Sequence, residues 1–359
     1  MRKNKPPLFK DFFGTIRQDF KDVNLPTSFR RDLRAIYEFY LSQHERQQLA
    51  NMGWFRRWLY RIFWFIKSIF LKLTPFRRIL LFISLILLVG TQDTSRLTVG
   101  YAIIFIVLLL ELKDKLLAHD ELSAGRAVQA ALRPDQCPKI SGWDAFMFSQ
   151  SANEVGGDVV DCLELEEDRF AFLVGDVAGK GLGAALLSAQ LQASVHALAP
   201  TIKSPNKLVA QLNQLSCRGG LSSRFISFIY LEIKADAGKI TFVNAGHMPP
   251  FLLGGENVEE LQKGGVALGL DAKAKYKDQI VTVNSGDVFI VYTDGLTEAR
   301  NPGGEFFGEA QLQHLLSSLS HLDCAEMGRR ILEHIKKYMG DAPRNDDLTF
   351  LILKRKNGS

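Results

Sequence analysis

Cysteine is scarce in this chain, and its arrangement excludes two chemistries. The four residues, Cys137, Cys162, Cys217 and Cys324, show no CxxC and no Cys/His spacing. They read as reduced cytosolic thiols with packing roles, not as disulfides or zinc ligands. No nucleic-acid-binding motif occurs, so the net charge of +5 needs another explanation. A P-loop is missing too. Gly175–Gly181 reads GxxxGKG, one residue short in its first gap, with Gly181 where a Mg²⁺-binding hydroxyl would stand. No Ser/His/Asp or Cys/His pattern points to a nucleophilic hydrolase. The first apolar run starts far from Met1 and lacks a small-residue cleavage site, so no signal peptide is expected.

The charge that is present is divided unevenly. Residues 1–78 hold 17 Lys/Arg against 6 Asp/Glu, and the rest of the chain 27 against 33. The basic balance therefore belongs to the N-terminal segment. Rich in Trp and Phe and next to apolar runs, that segment suits anionic lipid headgroups rather than nucleic acid.

Leu33, Ile36, Tyr37 and Tyr40 recur at helical spacing and predict a helix around Ser28–Ala50. In Trp54–Leu73, aromatic and aliphatic residues interleave with Arg56, Arg57, Arg61, Lys67 and Lys72. That pattern fits a helix in the membrane interface with cations snorkelling outward, or else an amphipathic helix packed on protein. Ile79–Gly90 and Leu97–Leu112 carry no charge before Glu111 and are apolar on every face. Their rises of roughly 18 and 24 Å fall short of a hydrocarbon core of roughly 30 Å. Two short spans with local thinning, a re-entrant hairpin and a wholly buried hairpin all fit. Lys72, Arg77 and Arg78 precede the pair and Lys113 and Lys115 follow it, so both termini are expected in the cytoplasm. Lys113–Arg133 reads as a helix stopped by Pro134, either a signal transmitter or a spacer.

Beyond Pro134, β-prone segments recur at Trp143–Ser149, Arg169–Val174, Phe225–Ile233, Lys239–Asn244, Asp287–Thr293 and Leu348–Leu353. Helical stretches fall at Leu182–Ala199, Pro205–Cys217 and Glu309–Met339. Hairpin-like links such as Ala235–Gly238 imply antiparallel pairing. The expected organisation is a basic, partly helical, interfacial segment (1–78), a transmembrane helical hairpin (79–112), a linker helix (113–135) and one α+β domain (136–356).

Four acidic turns sit at the ends of these apolar runs: Glu154-Val-Gly-Gly-Asp158-Val-Val-Asp161, Gly175-Asp176-Val-Ala-Gly-Lys-Gly181, Tyr292-Thr-Asp294-Gly-Leu-Thr-Glu298 and Asn345-Asp346-Asp347-Leu-Thr349. Strands would deliver these carboxylates to one end of a sheet, where without basic partners they repel one another. The usual remedy is a hard divalent cation with oxygen ligands. Two such ions, with a water of lowered pKa between them, would suit in-line attack on phosphorus. Singly, Asp-Gly at 294–295 is a common turn and Asp346-Asp347 a solvated pair; only the constellation is specific. His247 reads either as a general acid or as a loop histidine held by backbone hydrogen bonds.

In their order, ExxGGDxxD, GDVAGKG, NAGHxPP, GDVFIVYTDGLTEAR and DDLT resemble the SpoIIE/RsbU-type bacterial serine/threonine phosphatases of the PPM (type 2C) superfamily. Glu121-Leu-x-x-Gly-Arg126-x-Val-Gln129-x-x-Leu132-x-Pro134 is similar to that family's lead-in helix. The resemblance covers about residues 118–356 and not the N-terminal third. It implies a sandwich of two antiparallel β-sheets flanked by α-helices, with two Mn²⁺ or Mg²⁺ ions at one end. By motif position Asp158 and Asp176 would hold the pair with the Val177 carbonyl, and Asp294 and Asp346 would complete one shell, with Asp347 a nearby alternative. Glu154 and Asp161 share the first motif. Ser151, where many members have Pro, is a minor departure. The implied substrate is phosphoserine or phosphothreonine on a STAS-type anti-anti-sigma factor. The lead-in helix would couple an upstream sensor or a homodimer contact to assembly of the metal site. Two further readings stay open: a membrane signalling scaffold with little catalysis, and a hydrolase of small phosphoesters.

Overall fold

The computed structural model describes residues 53–89, 93–132, 137–166, 168–218, 224–235, 237–255 and 257–356. The helix expected around Ser28–Ala50 lies outside them. The chain forms two compact units, Met1–Leu116 and Leu117–Ser359.

In the first unit, α1 (Trp54–Lys72) is followed by α2 (Pro75–Leu88) and then by α3 (Thr94–Ala131), whose last turns lie past the unit's end. Pro75 starts α2, at a position where its missing N–H has no partner to lose. α2 and α3 pack as a helical hairpin. A Cβ on Gly100 would stand 2.9 Å from the Leu88 side chain, and Arg77 bonds Glu111 at 2.6 Å and Asp114 at 2.5 Å. The outward faces remain apolar, with Phe76, Phe82 and Ile86 on α2 and Tyr101, Phe105 and Leu108 on α3 exposed. Among the described residues, α3 is the one helix long and apolar enough to cross a membrane. The 14 residues of α2 rise only about 21 Å. The helix expected over 113–133 is no separate element, because it continues α3 without a break.

The second unit is the expected sandwich. Strands β1 (Trp143–Gln150), β2 (Val159–Glu166), β3 (Arg169–Val177), β4 (Ile226–Lys234), β5 (Lys239–Ala245), β6 (Phe251–Gly254), β7 (Asn257–Glu260), β8 (Gln279–Thr282), β9 (Val288–Tyr292) and β10 (Leu348–Arg355) form two sheets. Their orders are β1-β10-β9-β6-β7 and β2-β3-β4-β5-β8, and every pairing between them is antiparallel. Helices α4 (Leu182–Leu198) and α5 (Pro205–Arg218) cover the second sheet; α7 (Gly308–Leu319) and α8 (Cys324–Met339) cover the first. A four-residue turn, α6 (Asp294–Thr297), follows β9.

Alternation explains why β3 and β10 are apolar over most of their length. In β3, Phe170, Phe172 and Val174 face the other sheet, while Ala171 and Leu173 face the helices. In β10, Leu351 and Leu353 point between the sheets, and Leu348, Phe350 and Ile352 lie under the helices. With both faces covered, no polar position is left to mark the period of two. The segment Glu309–Met339 is two helices, not one. The second starts at Asp323, whose carboxylate caps the Glu326 N–H at 2.7 Å, an Asp-x-x-Glu signal. Strands β2, β6, β7 and β8 were not expected; the last three are only four residues long.

Gly328 of α8 lies against the Phe146 ring of β1, where a Cβ would overlap the ring. Gly328→Ala is expected to lower unfolding free energy by about 1–3 kcal/mol despite its better helix propensity. Urea denaturation followed by circular dichroism tests this, and an unchanged or raised midpoint would contradict the packing.

Candidate active site

The turn between β1 and β2, the end of β3, the turn after β9 and the approach to β10 meet at one end of the sandwich. What joins them is the carboxylate of Asp347. Its Oδ1 accepts the Ala152 N–H at 2.8 Å, and its Oδ2 accepts those of Gly157 at 2.8 Å and Asp158 at 3.3 Å. A Cβ on Gly156 would overlap that carboxylate, and one on Gly295 would overlap the Asp347 carbonyl. Glycine at these two positions is what lets three of the four acidic turns touch. The fourth approaches through Gly157, whose Cβ would stand 3.1 Å from the Val177 carbonyl oxygen.

Asp158 is buried, and its Oδ2 accepts the Thr293 hydroxyl at 2.9 Å. Burial, then the charge of Asp176, pushes its carboxyl well above the ordinary range. Asp176, half-buried, is raised to about 6 by burial and then by Asp294. Asp294 is raised by burial and then by Asp346. These are like charges held near one another in poor solvent. Among the described residues a basic partner is present, contrary to the expectation of none. Lys180 of the Gly-Lys-Gly turn pairs with Asp346 Oδ2 at 3.0 Å and bonds the Asn345 carbonyl. Among the described residues, no three His, Cys, Asp or Glu side chains close into a ready cation cage. The donors are hard oxygens, three of them desolvated and mutually repelling, which suits a hard divalent cation rather than a soft one.

The other residues of the acidic motifs point elsewhere. Asp161 is an odd number of residues from Asp158, and its side chain bonds Gln192 Nε2 and His196 Nε2, each at 2.6 Å. Glu154 faces Arg126 of α3 at 3.5 Å. Ser151 lies inside the turn against Gly156. His247 is buried, with Nδ1 2.9 Å from the Ser227 hydroxyl and its N–H on Asn244 Oδ1. Burial lowers its pKa to about 4, so it is neutral at pH 7 and the backbone-held reading fits. Sequence reasoning missed the Asp347 clamp and Thr293. The role of Gln129, within the lead-in helix motif, was likewise not legible from its position. The Gln129 amide grips Gly156 from both sides, donating to its carbonyl at 2.8 Å and accepting its N–H at 3.2 Å.

The family model for stage II sporulation protein E (SpoIIE) matches residues 166–356, and this chain belongs to the SpoIIE family. Phosphoserine phosphatase RsbU of Bacillus subtilis is 26% identical over 238 residues, which are 66% of this chain and 70% of RsbU. Protein IcfG of Synechocystis sp. is 26% identical over 263 residues. This chain spans only 41% of IcfG's length. The SiaA-PP2C domain of Pseudomonas aeruginosa superposes with a TM-score of 0.60 at 21% identity, over 67% of this chain and 98% of that domain. The PP2C domain of Bacillus subtilis SpoIIE, solved with a fragment of its regulatory domain, gives 0.53 at 16%, over 60% of this chain and 64% of that one. The fold is therefore that of the PP2C phosphatases.

A carboxyl whose folded pKa is raised favours the folded state below its unfolded pKa, near 3.8, and that contribution is lost as pH rises through about 6. In the metal-free protein the ionised Asp176 therefore costs about 3 kcal/mol at pH 8. Asp176→Asn, with chelator present, is expected to resist urea better than wild type at pH 8, with the gap closing near pH 4. Equal stability at both pH values would mean that the carboxylates do not converge.

Proposed function

We propose that the chain is a membrane-anchored, metal-dependent serine/threonine phosphatase acting on a phosphorylated regulatory protein. The observation that carries this reading is the gathering of Asp158, Asp176, Asp294 and Asp346, whose charges bear on one another at the end of the sandwich. RsbU, a phosphoserine phosphatase, supports the reaction. A STAS-type anti-anti-sigma factor is the proposed substrate.

Asp158 and Asp176, with the Val177 carbonyl, would hold a pair of Mn²⁺ or Mg²⁺ ions, and Asp294 and Asp346 would complete one shell. Such a pair, when bound, supplies Lewis acidity that activates water and offsets phosphoryl charge. The chain's own part is positional. Asp347 spends its lone pairs on three backbone N–H groups, so it clamps the turn that carries Asp158 and leaves ligation to Asp346. Lys180 tethers the Asp346 loop to the Asp176 turn. Gln129, on the last turn of α3, holds the same Asp158 turn from the other side. A shift of that helix would move Asp158, so α3 would gate activity, by itself or through pairing with a second copy.

The α2–α3 hairpin and the basic, aromatic α1 would anchor the protein in the cytoplasmic membrane among anionic lipids, with the phosphatase unit and both termini in the cytosol. No nucleic acid enters this reading.

Mn²⁺-dependent release of phosphate from a phosphorylated STAS protein is the expected activity. Asp176→Asn and Asp294→Asn should each remove nearly all of it, and unchanged turnover in both would end the metal assignment. Gln129→Ala should lower kcat roughly tenfold while the melting temperature holds, the loss of about two hydrogen bonds at the turn. A kcat equal to wild type would show that α3 does not act through Gly156.

A further inference from the structure

Among the described residues Arg224 has no anionic partner, although the fold makes room for it. The Ala178 N–H donates to the Phe225 carbonyl at 2.9 Å, which sets residue 224 beside the Ala178–Gly181 turn. The guanidinium lies over the first turn of α4. A Cβ on Gly183 would stand 2.9 Å from its Cζ, Nη1 and Nη2, and one on Gly179 would stand 3.5 Å from Nη1. Gly183 has no left-handed φ that would require glycine, and glycine within a helix costs about 1 kcal/mol against alanine. What it provides is space for the guanidinium.

Nη1 is shielded from solvent without a hydrogen-bond acceptor, and among the described residues Arg224 makes no ion pair. Lys180, by contrast, is committed to Asp346. A guanidinium with one side desolvated and no anion is completed by a carboxylate, whose two oxygens match its fork. Exposed apolar side chains occur on the same segments: Leu182 and Leu186 flank Gly183 on α4, Phe225 follows Arg224, and Leu270 follows Gly269, whose Cβ would stand 3.4 Å from the Arg224 carbonyl oxygen. Apolar side chains grouped beside an arginine are the make-up of a protein contact.

We propose that Arg224, on its floor of Gly179 and Gly183, receives an acidic side chain of the phosphoprotein substrate, while Leu182, Leu186 and Phe225 seat the apolar surface beside that side chain. This rests on the phosphatase reading. The anion is a carboxylate of the partner rather than the scissile phosphoryl group. Lys180 is the cation that contacts the acidic cluster, at Asp346, whereas the Arg224 guanidinium lies over Gly183 of α4. Beyond residue 78 the chain is net acidic, so an acidic partner needs a local cation to approach the site.

The test uses the full chain in detergent with Mn²⁺ and two synthetic phosphoserine peptides. One carries Asp and Glu beside the phosphoserine; the other has Asn and Gln at the same positions. Wild type should favour the acidic peptide roughly tenfold in kcat/KM, carried by KM, which is about 1.4 kcal/mol. Arg224→Ala should bring the two peptides level by raising KM for the acidic one alone, and Arg224→Glu should reverse the order. A preference that survives Arg224→Ala overturns the inference, as does a kcat that falls equally on both peptides. Wild type hydrolysing para-nitrophenyl phosphate yet indifferent to flanking charge sinks the inference alone. Wild type hydrolysing no phosphoester at all sinks the phosphatase reading with it.

Discussion

The carboxylates at the end of the sandwich would drift apart if only their charges acted, and the Asp347 clamp is what holds them. Three backbone N–H groups of the Ala152–Asp158 turn converge on that one side chain. Hydrogen bonds to an ionised acceptor are about twice as strong as neutral ones, and this acceptor is buried. The clamp ties the β1–β2 turn to the start of β10, and Gly295 lets the turn after β9 lie directly on the Asp347 carbonyl. Sheet one and sheet two are thus fastened at the same edge where their acidic ends meet. The repulsion among Asp158, Asp176 and Asp294 is stored against that fastening.

The layers behind the site make the fastening rigid. Between the sheets, Phe172, Phe242, Phe289 and Leu351 are fully buried, and each sheet's outer face lies under two helices. A packed interior of this kind transmits displacement rather than absorbing it. Gln129 and the Gln192–Leu132 bond tie the end of α3 to this interior, which is where the proposed gating would enter.

β3, β9 and β10, which lead to Asp176, Asp294 and the Asp346–Asp347 turn, were legible because both faces of each are buried, which leaves long apolar runs bounded by acidic turns; β2, beside Asp158, was not. β6, β7 and β8 were not, since four residues are too few to display a period. The break at Ser320–Asp323 was written in the sequence as Asp323-x-x-Glu326, but helical periodicity on both sides hid it. At the site, residue types located the four turns, and the family's motif order separated Asp158 from Asp161. Spacing alone could not show that Asp347 spends its oxygens on backbone N–H groups, because its donors lie about 190 residues away. Lys180 was passed over once the P-loop pattern failed, and with the expectation that the carboxylates had no basic partner. The uncharged runs fall on α2 and α3, and among the described residues α3 is the one helix both long and apolar enough to cross a membrane.

Asp158, Asp176, Asp294 and Asp346 are proposed to form one cation site. Calorimetric titration of Mn²⁺ into the chelator-stripped full chain tests it most directly. Two ions per chain are expected, with Asp176→Asn and Asp294→Asn each losing at least one. Absence of binding in wild type, or the same stoichiometry in all three proteins, would contradict it.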